Sequence, residues 1–284
     1  MSLLVRHKKA FANKSVVVTG ASSGIGRATS LAFAECGATL FVCDVDASTL
    51  PALRAELLAA GAPAAHVTAV DVGSREQMAR FCRSACAECV PDVVVNNAGV
   101  GLAGGLLDTS LDDWDWLVSV NLWGVVHGCH FFAPKMAAHG RGQIVNIASA
   151  AGFYNSEAMT AYGTTKFAVV GLSEGLRAEL APRGVGVSVV CPGFINTPIV
   201  ANMRLRGEAY SETKRQKIQR FYAKRNYAPE RVANAVLHAA RTNPALLPVT
   251  PEAWALYLLK RLSPDLGRRL LVTAERLIER GSKR

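Results

Sequence analysis

The feature of this sequence that most constrains its fold is a glycine-rich turn near the amino terminus. A β-branched run over residues 14–19 leads directly into Gly20, Gly24 and Gly26, and a helical pattern follows over residues 27–36. Glycines at such a turn let the backbone approach a pyrophosphate, and the free N–H groups and dipole of the helix attract that anion. The spacing G-x-x-x-G-x-G departs from the commoner G-x-G-x-x-G. The segment therefore predicts the strand, turn and helix that open a dinucleotide-binding sheet.

Strands and helices alternate regularly after this turn. Further strands are predicted over residues 39–43, 66–70, 92–95, 143–148 and 186–190, with helices between them at about 50–60, 75–89, 112–130 and 161–178. Regular alternation implies a parallel sheet with helices on both faces. A last strand over residues 245–250 contains Pro248, which is typical of a sheet edge. The sequence therefore predicts a doubly wound α/β fold.

An acidic residue, Asp44, follows the second predicted strand. A carboxylate about twenty residues beyond the glycine turn accepts hydrogen bonds from an adenosine ribose and repels a 2′-phosphate. The next residues, Val45 and Asp46, provide no arginine that would bind such a phosphate. Asp44 therefore favours NAD(H) over NADP(H) as the cofactor.

A tyrosine and a lysine four residues apart mark the predicted reaction centre. On a helix, Tyr162 and Lys166 project from the same face, although such a pair taken alone is also typical of an exposed surface. A free tyrosine titrates near pH 10, too high for proton transfer at neutral pH, and the ammonium of Lys166 would favour its phenolate form. Ser149 follows a buried strand, at the edge where parallel sheets bind ligands, and would hold the substrate oxygen.

These motifs resemble, in order and approximate spacing, those of short-chain dehydrogenases/reductases. The residues that carry the resemblance are Thr19-Gly-Ala-Ser-Ser-Gly-Ile-Gly26, Asp71-Val72, Asn96-Asn-Ala-Gly99, Asn121, Ser149, Tyr162-x-x-x-Lys166 and Pro192-Gly193 through Thr197. The match covers about residues 10 to 200. It implies a Rossmann-type fold with a seven-stranded parallel sheet.

The resemblance also implies roles for individual residues. Tyr162 would be the general acid/base, Lys166 would lower its pKa and bind the nicotinamide ribose, and Ser149 would orient the substrate oxygen. Asn121 would hold a water in the proton relay from Lys166. The implied cofactor contacts are Gly20, Ser23, Gly24, Ile25 and Gly26 at the pyrophosphate and adenosine ribose, Asp71 and Val72 at the adenine, Asn97, Ala98 and Gly99 at the middle of the cofactor, and Pro192, Gly193, Ile195 and Thr197 on the nicotinamide side.

The seven cysteines are odd in number and scattered, which favours reduced thiols over a disulfide framework. Cys82, Cys86 and Cys89 have a spacing that can hold an iron–sulfur cluster. The same residues occupy apolar positions of the helix predicted over residues 75–89, so we expect ordinary core or partly exposed thiols and no metal. No secretory leader or membrane-spanning run is evident in the sequence, which predicts a cytoplasmic protein.

The positive charge is concentrated near the carboxyl end. Residues 1–203 carry 14 basic and 15 acidic side chains, whereas residues 204–284 carry 18 and 7. We expect one dehydrogenase domain over residues 1–250, with a basic substrate lid at 194–226, and an extension of two basic amphipathic helices over 251–284. Three hypotheses remain for this region: closure of the pocket or an oligomer interface, peripheral contact with an anionic membrane, and recognition of an anionic acyl carrier. Nucleic-acid binding is not expected, because no recognition motif accompanies the charge.

Together these observations predict an NAD(H)-dependent oxidoreductase that interconverts a secondary alcohol and a ketone by hydride transfer. Leu102, Phe153, Phe194 and Met203 are the expected pocket walls, which suggest a bulky, apolar substrate such as a steroid, terpenoid or lipid. We expect a homodimer or homotetramer. The alternative hypothesis is a cofactor-binding scaffold or redox sensor with low catalytic flux that docks through its basic tail; the complete set of catalytic residues argues against it.

Overall fold

The computed structural model describes His7, residues 9–207 and residues 212–263. The strands of this part of the chain are β1 (Ser15–Thr19), β2 (Thr39–Asp44), β3 (Ala65–Ala69), β4 (Val93–Asn96), β5 (Leu102–Ala103), β6 (Gly142–Ile147), β7 (Val185–Cys191), β8 (Arg204–Leu205) and β9 (Leu246–Pro248). Seven of them form one parallel sheet in the order β3-β2-β1-β4-β6-β7-β9, while β5 and β8 form a separate parallel pair.

Helices cover both faces of the sheet. They are α1 (Gly24–Glu35), α2 (Leu50–Ala59), α3 (Arg75–Glu88), α4 (Leu111–Val118), α5 (Gly124–Ala138), α6 (Thr160–Leu180), α7 (Ile199–Asn202), α8 (Glu212–Arg225), α9 (Pro229–Thr242) and α10 (Pro251–Leu262). A π-helical turn over Ser119–Trp123 joins α4 to α5, and short 3-10 turns lie at Ala150–Gly152 and Ala181–Arg183. The predicted Rossmann-type fold with seven parallel strands is therefore confirmed.

The strand order places a binding crevice at the middle of the sheet. The chain begins at β1, winds outward to β3 and returns to β4 on the other side of β1. Helices before and after that reversal lie on opposite faces, which leaves an opening at the carboxyl ends of β1 and β4. Their aligned residues, such as Val17 and Val94, are buried on both sides, as continuous apolar strands of parallel sheets require.

The hydrophobic core has two layers, one on each face of the sheet. Val16 and Val18 of β1 pack into the layer that contains Phe33 of α1, and Val17 packs into the other layer with Phe132 of α5. Successive side chains of a strand point to opposite faces, so a single run of valines serves both layers. The five residues of β1 are all buried.

The helix predicted over residues 112–130 differs from the observed one in two ways. It begins one residue earlier, where the Ser110 hydroxyl and the Asp113 carboxylate form a capping box, and it continues to Ala138 past Pro134. The π-helical turn interrupts it at the level of Asn121. Such turns accommodate one extra residue and occur mostly at functional sites. Helical periodicity alone does not predict them, because the apolar pattern continues through the turn.

The predicted edge strand is present as β9, and the name lid is kept for the segment predicted over residues 194–226. β9 pairs only with β7, at one edge of the large sheet. Pro248 has no N–H group to donate, and on its outer side no strand of the sheet requires one. The lid contains α7, β8 and α8, and the pairing of β8 with β5 attaches it to the turn after β4. The first helix predicted for the extension is α10, whereas the second, over residues 266–280, lies outside the described residues. In the described part of the chain, no helix is both long and apolar enough to cross a membrane.

Candidate active site

A cavity of about 800 Å³ opens at the carboxyl ends of the central strands. Most of the predicted site residues line it, namely Gly20, Ser23, Gly24, Ile25, Asp44, Asp71, Val72, Asn97, Ala98, Gly99, Ser149, Tyr162, Lys166, Pro192, Gly193, Ile195 and Thr197. Gly26 and Asn121 are buried beside the cavity and are not among its lining residues. The fold thus brings residues from distant motifs into one space.

The glycine-rich turn is tightly packed, and its glycines have separate functions. Gly20 has a φ of +64°, and a Cβ there would lie 2.7 Å from the Cα of Ala98, so no other residue fits without a shift of the backbone. A Cβ on Gly26 would lie 2.0 Å from the Gly20 carbonyl oxygen. The Asn97 amide donates hydrogen bonds of 2.9 and 3.0 Å to the carbonyls of Thr19 and Gly20. Gly26 therefore allows close packing of α1 on the turn, while Gly20 and Gly24 face the cavity.

Asp44 is held in place by backbone donors at the end of β2. The N–H of Ser22 donates to its Oδ2 at 2.9 Å, and the N–H of Asp46 donates to its Oδ1 at 3.2 Å. Val45 and Asp46 also line the cavity at this end. Two carboxylates at one end of a cavity make it unfavourable for a phosphate group and suitable for ribose hydroxyls.

Tyr162 and Ser149 meet at the other end of the cavity. Tyr162 lies in the first turn of α6, and Ser149 follows β6 directly, so the helix and the sheet edge converge on one point. Burial raises the pKa of the Tyr162 phenol, and a hydrogen bond from the Ser149 hydroxyl partly opposes that effect. The phenol therefore stays protonated at neutral pH in the protein alone.

Lys166 lies one turn further along α6 and is buried. Its Nζ donates a hydrogen bond of 3.2 Å to the Ile147 carbonyl and lies 5.7 Å from the centroid of the Tyr162 ring. Burial lowers the pKa of Lys166 to about 8, so the side chain carries its charge at neutral pH. We predicted that this charge lowers the pKa of Tyr162, but in the protein alone that pKa is raised, with burial of the phenol as the main cause.

Asn121 stabilises the turn after β4 from the π-helical segment. Its Oδ1 accepts a hydrogen bond of 2.8 Å from the Val100 N–H, and its Nδ2 donates to the Val100 carbonyl at 3.0 Å. A Cβ on Gly99 would lie 3.3 Å from the Asn121 Oδ1 and 3.6 Å from the Lys166 Nζ. The amide and the ammonium therefore both border the small space above Gly99, where the water relay was predicted.

The substrate side of the cavity differs from the predicted one. Phe194 and Met203 line it, whereas Leu102 and Phe153 are buried behind it and do not. The apolar and aromatic lining residues that the sequence did not indicate include Trp116, Met159, Ile199, Val200, Tyr222 and Leu256. These residues come from four different helices and one loop, so no local pattern connects them. For Tyr222, the only indication in the sequence was its aromatic side chain within the predicted lid.

Two arginines of the lid are bound to a buried carboxylate. Arg206 donates two hydrogen bonds of 2.7 Å to Asp113 in α4, and Arg204 donates one of 3.3 Å. The Arg206 guanidinium is the main cause that lowers the pKa of Asp113 to about 2. Arg204 also lies over the Trp116 ring, with its guanidinium carbon 3.7 Å from the ring centroid. These contacts fix the start of the lid against the helix that leads to Asn121.

The far end of the lid is bound to the carboxyl-terminal extension. The Arg225 guanidinium at the end of α8 forms an ion pair with the Glu252 carboxylate in the first turn of α10. Glu252 lines the cavity, and its Oε1 accepts a hydrogen bond of 3.0 Å from the Phe194 N–H. The extension therefore holds the loop between β7 and α7, on which the predicted nicotinamide contacts lie.

The cysteine triplet lies on and just after α3 and does not line the cavity. Cys82 is buried and Cys86 half-buried on α3, with their Sγ atoms 3.9 Å apart, and Cys89 is half-buried just after that helix. Within the described ranges, no group of three or more histidine, cysteine, aspartate or glutamate side chains is arranged to hold a metal ion. The thiols occupy the core and partly exposed positions that the helical pattern predicts.

Comparison with known proteins gives relatives along most of the chain. The protein named "Probable oxidoreductase EphD" of Mycobacterium tuberculosis (strain ATCC 25618 / H37Rv) is 41% identical over 261 residues, which are 90% of this chain and 44% of that protein. The chain thus spans less than half the length of that relative. The C alpha-dehydrogenase of Sphingobium sp. (strain NBRC 103272 / SYK-6) is 33% identical over 253 residues, which are 86% of this chain and 83% of that one.

A solved structure also resembles this chain. A short-chain dehydrogenase/reductase from Burkholderia phymatum, crystallised in complex with NAD, superposes with a TM-score of 0.80 at 33% identity, over 90% of this chain and 95% of that one. Residues 14–207 also match the family described as short chain dehydrogenase. Over the range from the glycine turn to β8, both the sequence and the fold match those of this family. The chain belongs to the short-chain dehydrogenase/reductase family of oxidoreductases.

Proposed function

We propose that this protein is an NAD(H)-dependent oxidoreductase that interconverts a secondary alcohol and a ketone. The observation that carries the proposal is the convergence of Ser149, Tyr162 and Lys166 on one end of the cavity whose other end holds Asp44. A hydroxyl, a buried phenol and a buried ammonium provide the donors that a carbonyl oxygen needs as it becomes an alkoxide. A dinucleotide extends across the switch point of such a sheet.

The cavity residues fit a nicotinamide dinucleotide. Gly20 and Gly24 line the cavity at the turn between β1 and α1, where a pyrophosphate could approach their backbone at the N-terminus of α1. Asp44, already held by the Ser22 N–H, would accept hydrogen bonds from the adenosine ribose. Asp71 and Val72 would contact the adenine, and the loop with Ile195 and Thr197 would contact the nicotinamide amide. When bound, the nicotinamide supplies or accepts the hydride.

The chain's own residues supply the proton in the proposed reaction. In ketone reduction, the Ser149 hydroxyl and the Tyr162 phenol donate hydrogen bonds to the carbonyl oxygen, and Tyr162 then transfers its proton to that oxygen. Lys166, charged at neutral pH, stabilises the resulting phenolate. The space above Gly99, between Lys166 and Asn121, would hold the water through which the proton is replaced. Alcohol oxidation runs through the same groups in reverse.

The preference for NAD(H) rests on the carboxylates around the adenosine end. Asp44 and Asp46 both line the cavity there, and a 2′-phosphate would lie against them. The Burkholderia phymatum structure was solved with NAD. These observations support NAD(H) over NADP(H) for this chain.

We propose a neutral, bulky and largely apolar substrate. Among the described residues that line the cavity, Lys166 is the single lysine or arginine, so the lining offers no separate cation to bind a substrate carboxylate or phosphate. Trp116, Met159, Val200 and Leu256 form apolar walls instead. Apolar walls with a few convergent polar groups are typical of sites for small apolar ligands.

For the basic region, the described contacts favour closure of the pocket over the membrane and acyl-carrier hypotheses. Lid arginines at both ends form ion pairs inside the protein, with Asp113 near the start and with Glu252 near the end. Such charges are not free to bind an anionic surface. Members of this family bind small molecules and form oligomers, and we propose a homodimer or homotetramer in the same way.

A turnover screen tests the proposal. The protein is assayed with NADH and NADPH on a panel of bulky ketones, and with the oxidised cofactors on the matching alcohols, by following the absorbance of the reduced cofactor. We expect NADH-dependent reduction of at least one neutral apolar ketone. Tight NADH binding without turnover of any ketone or alcohol would reject the proposal and favour a cofactor-binding scaffold.

A further inference from the structure

The lid carries a phenol, Tyr222, that the proposed reaction does not use. Tyr222 lies on α8 and lines the same cavity as Tyr162. Its ring packs edge-on against Phe194, with centroids 5.5 Å apart, and against the apolar cluster of Val200 and Met203. Packing thus fixes the ring, and with it the position of the Tyr222 hydroxyl.

The Tyr222 hydroxyl has no hydrogen-bond partner among the residues that the structure describes. By contrast, the Tyr227 hydroxyl donates to the Val249 carbonyl at 3.0 Å, and the Tyr257 hydroxyl accepts from Arg261. Tyr222 and Tyr162 line the same cavity, and burial is the main cause that raises the pKa of Tyr222. Tyr222 is therefore a neutral donor at every physiological pH. A hydroxyl on the cavity wall without a protein partner can donate a hydrogen bond to a ligand or a water.

The surroundings of Tyr222 restrict what that ligand group can be. The Glu252 carboxylate also interacts electrostatically with the Tyr222 hydroxyl and lines the cavity. Its partner Arg225 is held in an ion pair and is not among the lining residues. A substrate carboxylate placed here would meet Glu252 without a free cation, whereas a hydroxyl, ether or carbonyl oxygen would not be repelled.

We propose that Tyr222 binds a second, neutral oxygen of the substrate while Ser149 and Tyr162 bind the reacting one. The inference rests on the proposed function and narrows its substrate class to ketones with an additional hydroxyl, ether or carbonyl oxygen near the reacting carbon. The rest of the substrate lies against the apolar walls formed by Trp116 and Met159. Tyr222 acts as a specificity-determining residue and does not transfer a proton.

A double comparison of ligands and variants tests this. The ligands are propiophenone and its 2-hydroxy and 3-hydroxy derivatives, which share the aryl ketone and differ in the second oxygen. Binding to the NADH-loaded protein is measured by calorimetry in a Tyr162→Phe background, so that no turnover occurs. Tyr222→Phe is compared with Tyr257→Phe, a matched control that removes a phenol outside the cavity lining.

We expect at least one hydroxy ketone to bind about tenfold more tightly than propiophenone, the usual value of one good hydrogen bond. Tyr222→Phe should abolish that preference and change propiophenone binding less than about twofold, because the ring and its packing remain. Tyr257→Phe should leave the preference intact. A purely structural lid residue would weaken all three ligands together.

Three results would overturn the inference: no preference for a second oxygen, a preference that persists in Tyr222→Phe, or an equal loss for every ligand. Absence of binding by all three ketones counts against it as well. Turnover with Tyr162 intact is assayed separately. A lack of hydride transfer there would reject the proposed function, whereas loss of ligand discrimination alone would reject only the role of Tyr222.

Discussion

At the scale of single residues, burial is the main influence on the reaction centre. It raises the pKa of Tyr162 and lowers that of Lys166, so each group is held in its less charged form more strongly than in water. Burial thus keeps the Tyr162 phenol protonated at neutral pH in the protein alone. In the proposed reaction, a bound oxidised nicotinamide would add a positive charge that favours the phenolate.

The buried charge of Lys166 should lower the free energy of unfolding of the protein. Its pKa falls from 10.5 to about 8, so the native protein binds that proton less tightly than the unfolded chain does. The penalty is therefore complete below pH 8 and disappears as the pH rises towards 10.5. Lys166→Met should stabilise the protein by about 2 kcal/mol at pH 7, after the lost hydrogen bond to Ile147 is subtracted.

Thermal unfolding at pH 7 and pH 10 measures this effect. Lys135→Met, which changes an exposed lysine of α5, is the control and should have little effect at either pH. The gain from Lys166→Met should largely vanish at pH 10. A variant that is less stable than the wild type at pH 7, or equally improved at both values, contradicts the assignment.

Asp44 is the residue on which the proposed preference for NAD(H) depends. Asp44→Ala should improve kcat/KM with NADPH relative to NADH by about tenfold, because the repulsion of the 2′-phosphate and the ribose hydrogen bonds are lost together. Asp112→Ala serves as the comparison, since it removes an exposed carboxylate that does not line the cavity. The ratio of kcat/KM for the two cofactors is the measurement. An unchanged ratio in Asp44→Ala would remove the basis for NAD preference.

At the scale of secondary-structure elements, the lid is held by ion pairs at both ends. Asp113 is central, because its carboxylate closes the capping box of α4 and also binds Arg204 and Arg206 of the lid. The arginine side chains are about 40% exposed, which reduces the strength of these pairs through solvent screening. The contact nevertheless connects the lid to the helix that carries Asn121.

Asp113→Asn should loosen the lid while preserving the shape of the side chain. We expect a loss of about 2 kcal/mol in unfolding free energy at pH 7, less than for a fully buried pair, and a KM for the ketone raised about fivefold. The binding of NADH should change little. Asp112→Asn, at the exposed neighbouring position, is the matched control. Because the pKa of Asp113 lies at about 2, the stability difference should shrink as the pH falls from 4 towards 2.

Denaturant unfolding and steady-state kinetics of both variants give these values. If Asp113→Asn matches Asp112→Asn in stability and in KM, the arginine pairs do not hold the lid.

The sequence predicts the elements well where a local pattern determines them. Continuous apolar runs identify β1, β4 and β7, because strands buried on both faces require them. The π-helical turn at Asn121 and the pairing of β5 with β8 were not predicted, since both depend on contacts between distant segments. The cavity-lining residues Trp116 and Tyr222 were not predicted for the same reason. The glycine turn and the residues from Ser149 to Lys166 were located in advance because their spacing is set by backbone geometry.

At the scale of the whole molecule, the sheet order brings two separate groups of residues to one crevice. The first half of the fold supplies the glycine turn and Asp44, and the second half supplies Ser149, Tyr162 and Lys166. The carboxyl-terminal helix α10 then holds the loop between the two halves through Glu252. The proposed binding of a dinucleotide and the proposed proton transfer to a ketone would therefore use one continuous cavity.

The reaction proposed for that cavity depends on the Tyr162 phenol. Tyr162→Phe removes one oxygen atom, leaves the ring packing and the residues at the adenosine end unchanged, and eliminates the proton donor. The most direct measurement is kcat for a ketone substrate together with the Kd for NADH, in the wild type and in Tyr162→Phe. We predict that kcat falls by about a thousandfold or more while the Kd for NADH stays within about twofold. Turnover that persists in Tyr162→Phe at a rate close to the wild type would contradict the account.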